Sequence, residues 1–250
     1  MSGQEIGFGL GDRMKRYEFV VDDCLMRRAP VVVRVDGKAF HSLTRGMDRP
    51  FDADFVACMV VAATALMEEA QGAKLAYVQS DEISVILTDY ETLQTEPWFG
   101  YRVQKIASVA ASIASVAFGH SFRALFPDRT KVPVFDGRVF SLPDEDEVCN
   151  YLIWRQQDAV RNSILATGQA HFSPREMHGK NTSVLQDMLF NEKGVNWNDT
   201  PVHLKRGFCI VREACVEGTA ERHRLTTDLQ VPTFTQDRAY ILNRLPGKSA

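Results

Sequence analysis

Two short stretches combine carboxylates with strand-like apolar residues. In "VVVRVDGKAF", residues 31–40, a run of valines ends on Asp36 and Gly37. In "LAYVQSDEISVIL", residues 75–87, Asp81 and Glu82 interrupt a second such run. Carboxylates are rarely held against a core unless they have a partner or a task. If both segments are strands of one sheet, Asp36 and Asp81 converge at its end. Two such anions repel unless a cation lies between them. Mg²⁺ takes oxygen ligands and retains waters and phosphate oxygens, so two aspartates and a backbone carbonyl make a sparse site of the right kind. A two-metal arrangement activates an attacking oxygen and stabilises a leaving one. Gly37 lets the backbone approach a phosphate closely, and the amides of residues 37–41 could cradle a triphosphate. The plain alternative is that "DG" and "SDE" are only turns. Asp136-Gly137 repeats the dipeptide, with Arg138 placed to pair with an acid. Arg102 and Lys105 lie three apart on one helix face, available to triphosphate oxygens or to solvent.

The elements that would position these residues follow from pattern. Residues 30–36 predict a strand. Residues 52–71 predict a helix capped by Asp52 or Asp54 and ended by Gly72. Residues 74–79 and 83–88 predict a hairpin with the acids at its tip. "TEPWFGYRVQKIASVAASIASVAFGHSF" predicts a helix with Pro97 in its first turn and small residues suited to close packing on a sheet. A strand or bent hairpin is expected over 132–142, then a long helix over 144–168 with "PDEDE" at its positive end. Shorter helices follow, with Ser173 and Thr182 as caps. "LKRGFCIVREA" reads as a late strand, and the tail beyond 215 as polar with one extended "VPTF" segment. The order predicts an α+β fold, an antiparallel sheet packed with helices and extended by C-terminal helices. No GxGxxG or GxxxxGK[ST] occurs, which disfavours a Rossmann or P-loop domain. The expected division is 1–142 as the catalytic core and 143–250 as helices and a late strand completing the same domain.

Composition narrows the class. The 250 residues are 45% hydrophobic and 24% charged, as in an ordinary globular protein. There is no uninterrupted apolar run long enough to span a membrane. The segment "MSGQEIGFGLGDRMKRYE" lacks the apolar centre of a secretory signal. Five scattered cysteines without a CxxC pair argue against disulfides and zinc, and point to the cytoplasm. A net charge of −3 neither advertises nor excludes nucleic-acid binding.

Taken together, "RVDGKAFH" (34–41), "YVQSDEISV" (77–85), "FDGRV" (135–139) and "YLIWRQQDAVRNS" (151–163) resemble the tRNA-His guanylyltransferase superfamily of 3′-to-5′ nucleotide-adding polymerases. The resemblance runs from about Asp12 to Arg212. It implies a palm-like domain related to forward polymerases and nucleotide cyclases. Two Mg²⁺ ions, nucleoside triphosphate substrates (GTP or others, with ATP for 5′-end activation), a tRNA acceptor and a homotetramer are also implied. Carried over, Asp36 and Asp81 match metal-binding aspartates, and Gly37 the residue whose carbonyl ligates a metal. Glu82 matches a required neighbouring acid. Asp36, Gly37, Lys38, Ala39, Phe40, His41, Ser80 and Asp81 match nucleotide-contacting positions, and Arg102 and Lys105 match basic residues near a triphosphate. Arg155, Arg161, Asn162, Arg175 and Lys180 are candidates for RNA contact.

One departure bears on subclass. Where eukaryotic members carry "HINNLYN", this chain has "VRNSILA", residues 160–166. Val160 stands where a histidine linked to anticodon recognition would be, and it can neither donate nor accept a hydrogen bond. "GKNTSVLQDML", residues 179–189, resembles bacterial, archaeal and phage-type members, which look like template-dependent enzymes repairing 5′-truncated tRNA. The expected function is therefore template-dependent nucleotide addition to a tRNA 5′ end. The alternatives are addition of the extra 5′ G to tRNA-His, a cyclase-type enzyme, and a non-catalytic RNA-binding protein.

Overall fold

The computed structural model describes residues 9–217 and 220–247. Residues 1–8, on which the leader reading partly rests, lie outside the described residues. Helix α1 (Leu10–Phe19) precedes strand β1 (Val31–Gly37), the four-residue helix α2 (Phe40–Leu43) and helix α3 (Ala53–Glu69). Strands β2 (Ala73–Gln79) and β3 (Glu82–Leu87) form a hairpin, followed by α4 (Val103–Leu125), β4 (Phe135–Ser141) and α5 (Glu145–His171). Three shorter helices, α6 (Pro174–Met177), α7 (Thr182–Lys193) and α8 (Val202–Arg206), come next. Strands β5 (Phe208–Glu217) and β6 (Ala220–Asp228) and the short α9 (Ala239–Leu242) complete the order.

The six strands form one antiparallel sheet in the order β4-β1-β3-β2-β5-β6. β1 lies between β3 and β4, buried on both faces, which explains its near-continuous valines. Val31, Val33 and Val35 enter a core shared with α3 and α4. Val32 faces the opposite core, built with α5 and the C-terminal Val231, Phe234 and Ile241. The small residues of α4 permit close approach. A Cβ added to Gly137 of β4 would lie 2.5 Å from the carbonyl oxygen of Ala107.

Most predicted elements are present, with informative exceptions. Asp52 caps α3 through the amide of Phe55, and Asp144 caps α5 through that of Glu147. Pro97 does not open the α4 helix. It precedes a 3₁₀ turn, Trp98–Tyr101, in which Phe99 and Gly100 have positive φ, so α4 begins only at Val103. Asn181, not Thr182, caps α7, because its side chain accepts from the amide of Val184. The C-terminal part is not only helical. β5 pairs with β2, and the polar stretch after it forms β6, whose polar composition hid it from pattern reading. "VPTF" lies in a connection without helix or strand, from which Val231 and Phe234 fill the second core.

Candidate active site

Register brings the acids together. Asp36 lies opposite Glu82 of β3 on one side and Asp136 of β4 on the other. Directly opposed residues project from the same face. Three carboxylates thus cross the end of the sheet in a row, on the face that carries α5. One pleat behind lies a row of Arg138, Arg34 and Ser84. The two rows interact weakly, with Arg34 3.8 Å from Glu82 and Arg138 3.8 Å from Asp136.

Asp81 reaches this end through the β2–β3 turn. Ser80 and Asp81 form a two-residue connection, with Ser80 at φ 50°. The Gly37 amide donates to the carbonyl of Asp81 at 3.1 Å, tying the turn to the end of β1. The Ser80 hydroxyl donates to the Asp81 carboxylate at 3.1 Å. Burial, and then the charges of Asp81, Glu82 and Asp136, push the Asp36 carboxyl up to about 6. Asp81 is also raised, chiefly by burial. Burial is the first cause of both shifts, and neighbouring carboxylates add to each. The available donors are all oxygen: the two aspartates and the Gly37 carbonyl. That set suits a hard divalent cation such as Mg²⁺. No group of three or more His, Cys, Asp or Glu residues is arranged to hold a metal among the described residues, so nucleotide and water oxygens would complete any such shell.

The loop after Asp36 is anchored by Phe40. Its ring is buried against Phe55, Phe118 and Phe135 at centroid distances of 6.1, 5.3 and 5.0 Å. The Phe40 side chain is thus a core residue, and Phe40 also lines the cleft beside the site. A Cβ on Gly37 would meet that ring at 2.5 Å, so the glycine is required by the close turn. Ala39 has φ 56°, and Lys38, Ala39 and His41 are exposed around the anchored ring. The expected cradle is narrower than 37–41. The amide of Gly37 serves Asp81, that of Lys38 serves Val134 and that of Ser42 serves Ala39, which narrows the cradle to the amides of residues 39–41.

A cleft of about 750 Å³ opens beside Gly37, Ser80 and Asp81. Its opposite wall is Asn162, Gln169 and His203. The Nδ1 atom of His203 is buried without a hydrogen-bond partner, and burial lowers its basicity. Sequence reading missed His203 and Gln169, since neither belongs to a recognisable motif.

Several predicted residues are placed elsewhere. Arg102 grips Asp22 through Nε and Nη2 at 2.9 and 2.8 Å. It lies near the end of the sheet where β3 finishes, since Tyr101 and Arg102 pair with Leu25 and Cys24, and Arg27 and Arg28 hold Asp89. That end is about 20 Å from Glu82, at roughly 3.3 Å per strand residue. The Lys105 ammonium sits over the Phe99 ring at 5.4 Å, also near the start of α4. Arg155 is not a surface phosphate contact. It is buried, with Nε and Nη2 on the two oxygens of Glu82 at 2.8 and 2.7 Å. Glu82 is thereby occupied as an ion-pair partner. Arg161 is exposed and paired with Asp158, and Asn162 contacts the same carboxylate at 3.4 Å. Arg175 and Lys180 are exposed near α6 and α7.

Comparison with known proteins points the same way as the motifs. Residues 11–143 match the family model of tRNAHis guanylyltransferase. A probable tRNA(His) guanylyltransferase of Drosophila melanogaster is 29% identical over 253 residues, with 93% of this chain and 87% of that protein covered. Among solved structures, a bacterial tRNA(His) guanylyltransferase-like protein in complex with ATP aligns with a TM-score of 0.88 and 44% identity, covering 94% of this chain and 98% of that one. A bacterial structure of the same description in complex with GTP gives 0.80 and 41%, with the same coverage.

Proposed function

The chain belongs to the tRNAHis guanylyltransferase family of nucleotidyltransferases, and from that membership we propose that it adds nucleotides in the 3′-to-5′ direction to the 5′ end of truncated tRNA, with an opposing base as template. The observation that carries the proposal is the end of the sheet. Asp36 is tied to Asp81 there by the Gly37–Asp81 backbone bond, and Gly37 and Asp81 line a cleft large enough for a nucleotide.

In the proposed reaction the 3′-hydroxyl of the incoming nucleotide attacks the activated 5′ phosphorus of the tRNA. A P–O bond forms, the hydroxyl proton passes to solvent, and pyrophosphate or AMP leaves, according to whether the end carries a triphosphate or an adenylyl group. Mg²⁺ bound to Asp36, Asp81 and the Gly37 carbonyl would supply charge neutralisation and an activated hydroxyl. The protein's own groups orient the reactants. Lys38, His41 and the first-turn amides of α2 face the triphosphate, and Ser80 holds the Asp81 carboxylate in place. Asn162, Gln169 and His203 supply polar edges to the nucleotide across the cleft. Arg161, Arg175 and Lys180 are proposed to meet tRNA phosphates, which makes binding salt-sensitive.

The template-dependent assignment rests on Val160, whose side chain offers no polar atom for reading an anticodon base. If pairing chooses the incoming nucleotide, the protein need read only shape and backbone. Segments 1–142 and 143–250 are read as one catalytic domain, which the β2–β5 pairing supports. A homotetramer in the cytoplasm completes the proposal. Cys24, Cys58, Cys149 and Cys209 are free thiols, and no described helix is long and apolar enough to cross a membrane.

The test is incubation of the protein with Mg²⁺, a labelled tRNA lacking its first nucleotide, and each nucleoside triphosphate in turn. Extension only by the base complementary to the opposing strand is expected. Addition of G whatever the opposing base would reassign the protein to the tRNA-His reaction. Cyclic products without RNA would place it with the cyclases.

A further inference from the structure

The pairing of Glu82 with Arg155 is more complete than a supporting contact requires. Both residues are 6% exposed. The guanidinium meets both carboxylate oxygens in a fork, at 2.8 and 2.7 Å. The Ser84 hydroxyl adds a 3.4 Å contact to Oε1, and Arg34 stands 3.8 Å from Oε2. The guanidinium plane is held over the Trp154 ring at 4.4 Å. Its Nη2 also donates to Asp158 at 3.0 Å, and Asp158 in turn is contacted by Asn162 of the cleft wall. A continuous polar chain thus runs from β3, opposite Asp36, through α5 to the cleft.

We infer that Arg155 is a positioning residue, whose fork on Glu82 locks α5 onto the acid end of the sheet, and that Glu82 serves as the anchor of this lock without touching substrate. Glu82 projects from the same face as Asp36, directly across the register. Left unpaired, it would compete with Asp36 and Asp81 for any cation or substrate hydroxyl. With both oxygens turned to Arg155, its carboxylate is held away from a cation or a substrate hydroxyl. The same lock sets where Asn162 stands relative to Asp81 across the cleft. The inference rests on the nucleotidyl-transfer reading above.

Glu82→Gln, Arg155→Met, the double variant and Arg155→Lys separate the possibilities, with nucleotide addition and thermal unfolding measured on each. Arg155→Met strands the Glu82 carboxylate, and Glu82→Gln leaves Arg155 with Asp158 as its acid partner; in each, activity should fall about 100-fold with a lowered unfolding midpoint. The double variant removes both charges of the fork and leaves Asp158 paired with Arg161. It should recover activity to within about tenfold of wild type and regain the midpoint, as neutral replacements of buried ion pairs commonly do. A double variant that is folded but as inactive as Glu82→Gln overturns the inference, because Glu82 would then act on the reactants. A double variant that does not fold overturns it too, since neutral partners would have failed to hold α5. Arg155→Lys keeps the charge but loses the fork. Its kcat should fall about tenfold with an unchanged midpoint and unchanged KM for nucleotide and tRNA. A raised KM for tRNA alone would make Arg155 an RNA contact and refute the positioning role. Wild-type protein without any nucleotide addition would fail the parent reading instead, and Asp36→Asn, folded and inactive, serves as the control for the chemistry.

Discussion

Replacing Asp36 by Asn should abolish nucleotide addition and yet make the cation-free protein more stable at alkaline pH. Asp36 is crowded by burial and by the charges of Asp81, Glu82 and Asp136, which raise its carboxyl from the usual 3.8 to about 6. The folded state therefore holds the proton more tightly than the unfolded chain does. Stability is full below about pH 4, and it is lost as the pH rises through 6. At about 1.4 kcal/mol per pH unit, the rise from 3.8 to about 6 sets a ceiling near 3 kcal/mol. Asp36 is only half-buried, and solvent screening brings the expected effect down to about 1 kcal/mol. In a chain of this size that corresponds to roughly 2–4 °C in the unfolding midpoint. The assay is thermal or urea unfolding of both proteins with chelator at pH 5 and pH 8. The variant should gain on wild type between the two pH values. Adding Mg²⁺ at pH 8 should stabilise wild type more than the variant, because only wild type retains both acids. If Asp36→Asn is the less stable protein at pH 8 without cations, the carboxylate makes favourable bonds in the fold. The picture of mutually repelling acids awaiting a cation would then be wrong.

Gly37→Ala should also be inactive, since its Cβ would lie 2.5 Å from the Phe40 ring and force the loop away from Asp81; nucleotide affinity by calorimetry should fall with it. Phe40→Ala should cost about 3–5 kcal/mol in urea titration, as expected for emptying an aromatic core site, and loss of nucleotide binding without loss of stability would return the ring to the ligand. Asp22→Asn should reproduce whatever Arg102→Ala does to nucleotide use, because the two are one ion pair; an effect of Arg102→Ala alone would mean that the guanidinium leaves Asp22 for a triphosphate. Two 5′-truncated tRNAs differing only in anticodon should be extended at rates within a few-fold of each other. A lost hydrogen bond to a base edge is worth about 1–3 kcal/mol, a preference that Val160 cannot supply, and strong selection of the histidine anticodon would sink the repair assignment.

The legible parts of this molecule were those written in local pattern. Valines ending on Asp36-Gly37, the hairpin around Ser80-Asp81, the Asp52 cap and the acids opening α5 are short-range signals, and each appears where expected. That Asp136 would join the row was not readable, because it depends on β4 pairing with β1 across a helix. β6 was missed for a related reason. It is an edge strand that is almost continuously polar, with Leu225 alone apolar between Glu221 and Asp228, and its pairing with β5 supplies what its composition does not. His203 comes to the cleft on a five-residue helix without a motif.

Basic residues were the least legible of all, for a physical reason. An arginine's reach is long and its partners are chosen by tertiary structure, so sequence gives its charge but not its address. Arg102, Arg138, Arg155 and Arg161 each carry an acid partner within this chain. The exposed pairs, Arg102 with Asp22 and Arg161 with Asp158, hold by weak, salt-screened attraction and can be exchanged for a phosphate at little cost. The buried fork of Arg155 cannot, because withdrawing it strands Glu82 in the core. Burial, more than charge, therefore divides the basic residues into those open to nucleotide or tRNA and those that hold the catalytic end of the sheet in shape.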